Sequence, residues 1–172
     1  MENNYKLQFR THYNKIIPAT ILFVIVIFSI IIAFNLTGPK KVATAEQVWD
    51  AIEQEGYLPV DATYLYEEDM SSLIQCIAFE KDDVYFNFYI LEDSNSARGI
   101  YSKIHSHLYQ KYHVPYRVEH HSKQANYRIY TIASKGRYSV DVRVGNTVVY
   151  AYCDDGNEEG IVNVMNEIGY FD

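Results

Sequence analysis

The stretch "LIQCIAFEKDDVYFNFYILE", Leu73–Glu92, decides the fold class. Its second half alternates strictly. Val84, Phe86, Phe88 and Ile90 fall on one side of an extended chain, and Tyr85, Asn87 and Tyr89 on the other. Lys81-Asp82-Asp83 is a turn between two β-rich runs, Leu73–Glu80 and Val84–Glu92, so the pair reads as an antiparallel hairpin.

The same alternation returns downstream. "NYRIYTIAS" (Asn126–Ser134), "RYSVDVRV" (Arg137–Val144) and "TVVYAYC" (Thr147–Cys153) are three further strands. Lys135-Gly136 joins the first two. Gly145-Asn146 joins the second and third, with glycine where a tight hairpin needs positive φ. Helical spacing appears between and around the strands. Thr44 with Gln47 makes a capping box ahead of Val48, Trp49 and Ile52, and Gly56 supplies the stop. Asp93 or Ser94 caps a second helix with Ala97, Ile100, Tyr101, Ile104 and Leu108 on one stripe, closed before Pro115. A last helix follows Asp154-Asp155-Gly156-Asn157 and carries Ile161, Val164, Met165 and Ile168. Leu58–Asp61 and the polar Glu119–Gln124 read as loops. The expected order is α-β-β-α-β-β-β-α, an α+β domain with one antiparallel sheet and its helices on one apolar face. Phe86, Phe88, Val140, Val142, Val144, Val149 and Ala151 should lie under them.

Working outward toward the N-terminus, no charged side chain occurs between Lys15 and Lys40. Ile16–Phe34 is apolar apart from Pro18, Thr20 and Ser29, and at the helical rise it spans about 28 Å, close to the hydrocarbon thickness of a bilayer. A core helix of that length should carry a polar stripe, and a cleaved signal peptide a shorter apolar region. The run is read as an uncleaved membrane anchor. Lys6, Arg10 and Lys15 before it, against Lys40 and Lys41 after it, favour the N-terminus inside. The expected layout is a cytoplasmic tail at 1–15, an anchor at 16–35, a linker at 36–43 and an extracytoplasmic domain at 44–172.

Charge is blocked along that domain. Residues 42–97 carry a net charge of −12, residues 98–143 carry +7 and residues 144–172 carry −6. A net −11 domain is unsuited to nucleic acid, which demands a basic surface. The basic middle block is expected to pair with its acidic flanks, a local anion patch being the alternative. Cys76 and Cys153 both fall in strands. A disulfide is permitted outside the cytoplasm, but sequence leaves the pairing open.

Five histidines lie between His105 and His121. His105 and His107 are two apart on a helix, and His120 and His121 are adjacent, so neither pair has ligand spacing. No metal and no cofactor is expected. No G-x-S-x-G or C-x-x-C occurs, the acidic pairs sit in turns, and "DDGNEE" is explained by helix capping. No catalytic residues are assigned. Tyrosine stands out instead, with 15 in the domain. Alternation puts Tyr85, Tyr89, Tyr130, Tyr150 and Tyr152 on the sheet face turned from the helices, with Arg128 and Arg143 beside them. Such a face could capture a protein or peptide; the alternative is a small-ligand or metal site, possibly enzymatic, in the His105–His121 segment.

The run "AFEKDDVYFNFYILEDSNSARGIYSKIHSHL" (Ala78–Leu108) resembles uncharacterised membrane-anchored or lipid-anchored envelope proteins of low-GC Gram-positive bacteria. The resemblance implies an envelope protein and brings no activity or site residues. This chain lacks the lipid-accepting cysteine of the lipid-anchored members.

Overall fold

The computed structural model describes residues 38–112, 118–124 and 126–171. The anchor Ile16–Phe34, His113 and Pro115 lie outside the described residues. Among the described residues, no helix is long and apolar enough to cross a membrane.

The described chain builds a seven-stranded sheet and three α-helices. Helix α1 (Ala45–Gln54) comes first, followed by β1 (Val60–Asp61) and a short 3-10 turn at Thr63–Leu65. The hairpin β2 (Leu73–Lys81) and β3 (Val84–Leu91) leads into α2 (Ser94–Tyr112). Then come β4 (Val118–Lys123), β5 (Tyr127–Ser134), β6 (Arg137–Val144), β7 (Thr147–Asp154) and α3 (Glu159–Glu167). The strand order is β1-β2-β3-β7-β6-β5-β4, and every pairing is antiparallel.

Local chemistry accounts for most boundaries. The Thr44 hydroxyl accepts from the Gln47 amide at 3.2 Å and the Gln47 side chain accepts from the Thr44 amide at 3.0 Å, a complete capping box. The Asp93 carboxylate caps α2 by accepting from the amides of Asn95 and Ser96, which hold its pKa below the usual value. Asp82 and Asp83 both adopt positive φ, as do Lys135 and Gly136, the geometry whose twist suits two-residue hairpins. At Gly145 (φ +56°) a Cβ would come within 2.5 Å of the Val42 side chain, so this turn needs glycine for space as well as for conformation.

Helices cover both faces of the sheet, which corrects the one-sided arrangement. One face is the main core. Phe86 and Phe88, with Val140, Val142, Val144, Val149 and Ala151, pack under Val48, Ala51 and Ile52 of α1 and Ile161, Val164 and Met165 of α3. Each fully buried Val, Ile, Phe or Met side chain among these contributes about 1.5–3 kcal/mol. Helix α2 packs on the opposite face, where Ala97 and Tyr101 meet Cys76, Tyr89, Leu91 and Val148, and Leu108 and Tyr112 meet Tyr130 and Ile132. The tyrosine side of the strands is therefore a second buried layer. Tyrosine permits this because its ring buries like a hydrophobe while its hydroxyl finds a partner.

Two strands depart from expectation. The polar composition of Glu119–Gln124 predicts a loop, yet Val118–Lys123 pairs along its whole length with β5 as an edge strand. A polar edge strand resists further pairing, and so its sequence shows no apolar alternation. The second is β1, a two-residue strand directly after Pro59, pairing only through Val60–Ala78 and Asp61–Ile77. Cys76 and Cys153 are free, buried, and on opposite faces of the sheet. Burial pushes their thiols up to about 12 and about 11 respectively, which removes them as nucleophiles at neutral pH.

Candidate functional site

Register brings chemistry together on the α2 side. Lys123 lies opposite Arg128, and Arg128 lies opposite Arg143, so three cations occupy one cross-strand row on β4, β5 and β6. Like charges directly opposite one another oppose strand pairing. Arg98 of α2 joins them, and with Gln124 they line an open pocket of about 480 Å³. Arg143 is 3% exposed. Its guanidinium donates through Nη1 to the carbonyls of Asn126 (3.4 Å) and Gly145 (3.3 Å), while Nε has no partner. Burial lowers its pKa, and Arg98 and Arg128 lower it further by repulsion. Among the described residues, no carboxylate forms an ion pair with Arg98, Lys123, Arg128 or Arg143. The basic block does not pair off against its flanks at these four positions, contrary to expectation. Arg137 does, lying 3.5 Å from Asp154.

The neighbouring row holds His121, Tyr130, Asp141, Tyr150 and Asn87, each opposite the next on β4, β5, β6, β7 and β3. Asp141 is fully buried, and neither carboxylate oxygen has a hydrogen-bond partner among the described residues. Burial raises its pKa well above the ordinary carboxylate value. His105 of α2 approaches it, Nδ1 to Oδ2 at 3.7 Å, too far for a hydrogen bond. The imidazole stacks on Tyr101 and meets the Tyr130 ring edge-on at 4.5 Å between centroids. Burial lowers the His105 pKa, and repulsion from His121 and Arg128 adds to it. His121 sits 3.5 Å from Glu119, whose carboxylate also accepts from the Tyr130 hydroxyl at 3.1 Å.

The seven residues expected to form one binding face separate into three groups. Tyr85, Tyr150 and Tyr152 form a ring cluster with centroids 4.7–6.0 Å apart. Tyr89 is buried beside it, and the Asn87 amide approaches the hydroxyls of Tyr66, Tyr85 and Tyr89 at 2.6–2.7 Å. Tyr130 belongs to the histidine–aspartate row. Arg128 and Arg143 belong to the basic pocket. These tyrosines share the sheet face on which α2 packs and do not form a single open surface. Sequence reasoning missed Arg98 and Lys123. Lys123 could be found only by recognising β4 as a strand, and Arg98 only by laying α2 over this face.

Among the described residues, no group of three or more His, Cys, Asp or Glu side chains is arranged to hold a metal. His105 and His121 come within 6.3 Å centroid to centroid, while His120 lies on the other face, lining a groove with Ile129, Tyr138 and Phe171. What the arrangement can do is bind a compact anion: guanidinium forks match oxyanions in two-pronged geometry, and a buried arginine holds its orientation.

No protein-family profile matches the chain, and no curated protein matches it. Among solved structures the chain is similar to a GTP-binding regulator from Thermotoga maritima, at 16% identity and a TM-score of 0.47, over 76% of this chain and 90% of that one.

Proposed function

We propose that this chain is a single-pass, membrane-tethered envelope protein whose extracytoplasmic domain is a binding module for a small oxyanion. The anchor is Ile16–Phe34, with the N-terminus in the cytoplasm, by the length and charge arguments above. The single observation that supports anion binding is the row Lys123–Arg128–Arg143, capped by Arg98, in which like charges stand opposite one another with no carboxylate among the described residues to neutralise them. A fold accepts that cost where a ligand supplies the missing charge. The net −11 of the domain restricts the ligand to something small enough to sit within the pocket, rather than a polyanion spread over the surface. The reading is of a binding domain rather than an enzyme: both thiols are protonated at neutral pH, and His105 faces a buried acid without a hydrogen bond.

The test is a titration of the purified full-length chain with inorganic phosphate, followed by calorimetry. Saturable binding is expected, weakened at least about tenfold in Arg143→Gln, since one charge-assisted hydrogen bond contributes about 1.5–3 kcal/mol. No saturable heat with phosphate or sulfate overturns the reading.

A second reading, capture of an extended peptide, is favoured by the opposite sheet edge. There β1 covers only Ile77 and Ala78 of β2, and Leu58, Val60, Tyr64, Leu65 and Ile74 are exposed. Strand addition at this edge would be lost on introducing Ile74→Lys and would be indifferent to Arg143.

A further inference from the structure

We infer that the oxyanion taken by the basic pocket is the phosphodiester headgroup of an anionic lipid in the membrane that anchors the chain. This rests on the anchor and anion-binding readings above, and adds the source of the ligand.

The observation is where the linker joins the domain. The Asn126 side-chain amide donates to the Lys40 carbonyl at 2.7 Å and its oxygen accepts from the Lys40 amide at 3.3 Å. The backbone carbonyl of the same Asn126 accepts from Arg143. Val42 packs against Gly145, whose carbonyl is the other acceptor for Arg143. The loops that hold the buried arginine thus also hold the last residues of the linker. Six residue steps separate Phe34, the last of the apolar run, from Lys40. An extended chain covers at most about 3.3–3.6 Å per residue, so six steps are at most about 22 Å of chain. That distance is comparable to the depth of the headgroup region and its counterion layer together.

Charge and size choose among headgroups. Three guanidinium groups and an ammonium favour a phosphodiester and disfavour a choline or ethanolamine cation beside it. A pocket of about 480 Å³ accepts a phosphate together with a polar substituent such as glycerol, and its open mouth leaves the acyl chains outside. Burial of Arg143 fixes one contact, and the exposed Arg98, Lys123 and Arg128 close around the remaining oxygens.

The experiment uses the full-length chain, extracted in detergent, stripped of lipid and examined by native mass spectrometry. Phosphatidylglycerol, phosphatidylcholine and inorganic phosphate are added in separate arms. The expected result is a one-to-one phosphatidylglycerol adduct, favoured about tenfold or more over phosphatidylcholine. It should fall about tenfold in Arg128→Gln and Arg143→Gln and persist in Arg137→Gln. Arg128 is exposed, so its variant carries the test if Arg143→Gln fails to fold. Saturable phosphate binding without preference between the lipids overturns the lipid inference and leaves the anion site standing. Equal retention of phosphatidylglycerol by all variants assigns the adduct to another part of the chain and also overturns it. No binding of either lipid or of phosphate overturns both readings.

Discussion

Strand β6 has two sides that are equally buried and chemically opposite. Val140, Val142 and Val144 face α1 and α3; Ser139, Asp141 and Arg143 face α2. Neither set is more than 3% exposed. The valine side gains from burial, because removing apolar surface from water is favourable wherever it occurs. The other side gains little. A carboxyl without hydrogen bonds and a guanidinium flanked by two others raise the energy of the fold. The contrast teaches that one layer of the sheet holds the domain together firmly enough for the other to keep groups that a purely structural layer would exclude.

The sharpest way to break this contrast is to compare truncations across β3. Phe88→Ala, on the valine side, is expected to cost about 3–5 kcal/mol in a urea titration, as for other buried phenylalanines. Tyr89→Phe, its neighbour on the other side, loses only a hydroxyl contact and should cost about 0.5–1.5 kcal/mol. Equal losses would mean that both layers carry stability alike. Next in size is Arg143→Met. It should weaken phosphate binding at least about tenfold, near 1.4 kcal/mol, while melting at or above the parent temperature, because it removes a buried and repelled charge. A variant that melts lower would show that Arg143 is structural.

Asp141→Asn sharpens the comparison through pH. Burial raises the Asp141 pKa in the fold, so the native state retains a proton that the unfolded chain releases. Stability contributed by that neutral carboxyl is present below the unfolded value of about 4 and is lost as pH rises toward the raised folded value. Asparagine does not titrate. The variant is expected to outlast the parent at pH 8 and to lose that advantage at pH 4, read by thermal melts. An asparagine variant weaker at pH 8 would mean that Asp141 is ionised against a protonated His105. A last, small effect belongs to neither layer: Thr44→Ala removes the α1 cap and should cost about 1 kcal/mol.

Much of the scaffold was legible because alternation and turn chemistry agree. The hairpin of β2 and β3, the meander of β5, β6 and β7, and the three helices all follow from spacing and caps. Strand β4 was illegible because "EHHSK" has polar residues on both sides, as suits an edge strand. The position of α2 was illegible for a subtler reason. A strand face of Tyr85, Asn87 and Tyr89 is equally suited to solvent and to a tyrosine-lined interior, since a phenol serves both. Arg128 and Arg143 were picked out from sequence as companions of the tyrosines. Their pairing into one basic row depends on register across the β5–β6 hairpin, and their union with Lys123 on a strand that sequence reads as a loop.

Asn87 offers two N–H groups to three phenol oxygens, those of Tyr66, Tyr85 and Tyr89. Two amide protons cannot each serve a different one of three phenols, and the Tyr66 and Tyr85 hydroxyls also bond each other at 2.8 Å, so several proton arrangements share a single set of heavy-atom positions. The cluster is degenerate in the way ice is. Deleting the Tyr89 hydroxyl removes a competitor for the amide protons as well as a bond, so Tyr89→Phe should fall toward the lower end of its range, whereas Tyr66→Phe or Tyr85→Phe also breaks the bond between those two hydroxyls.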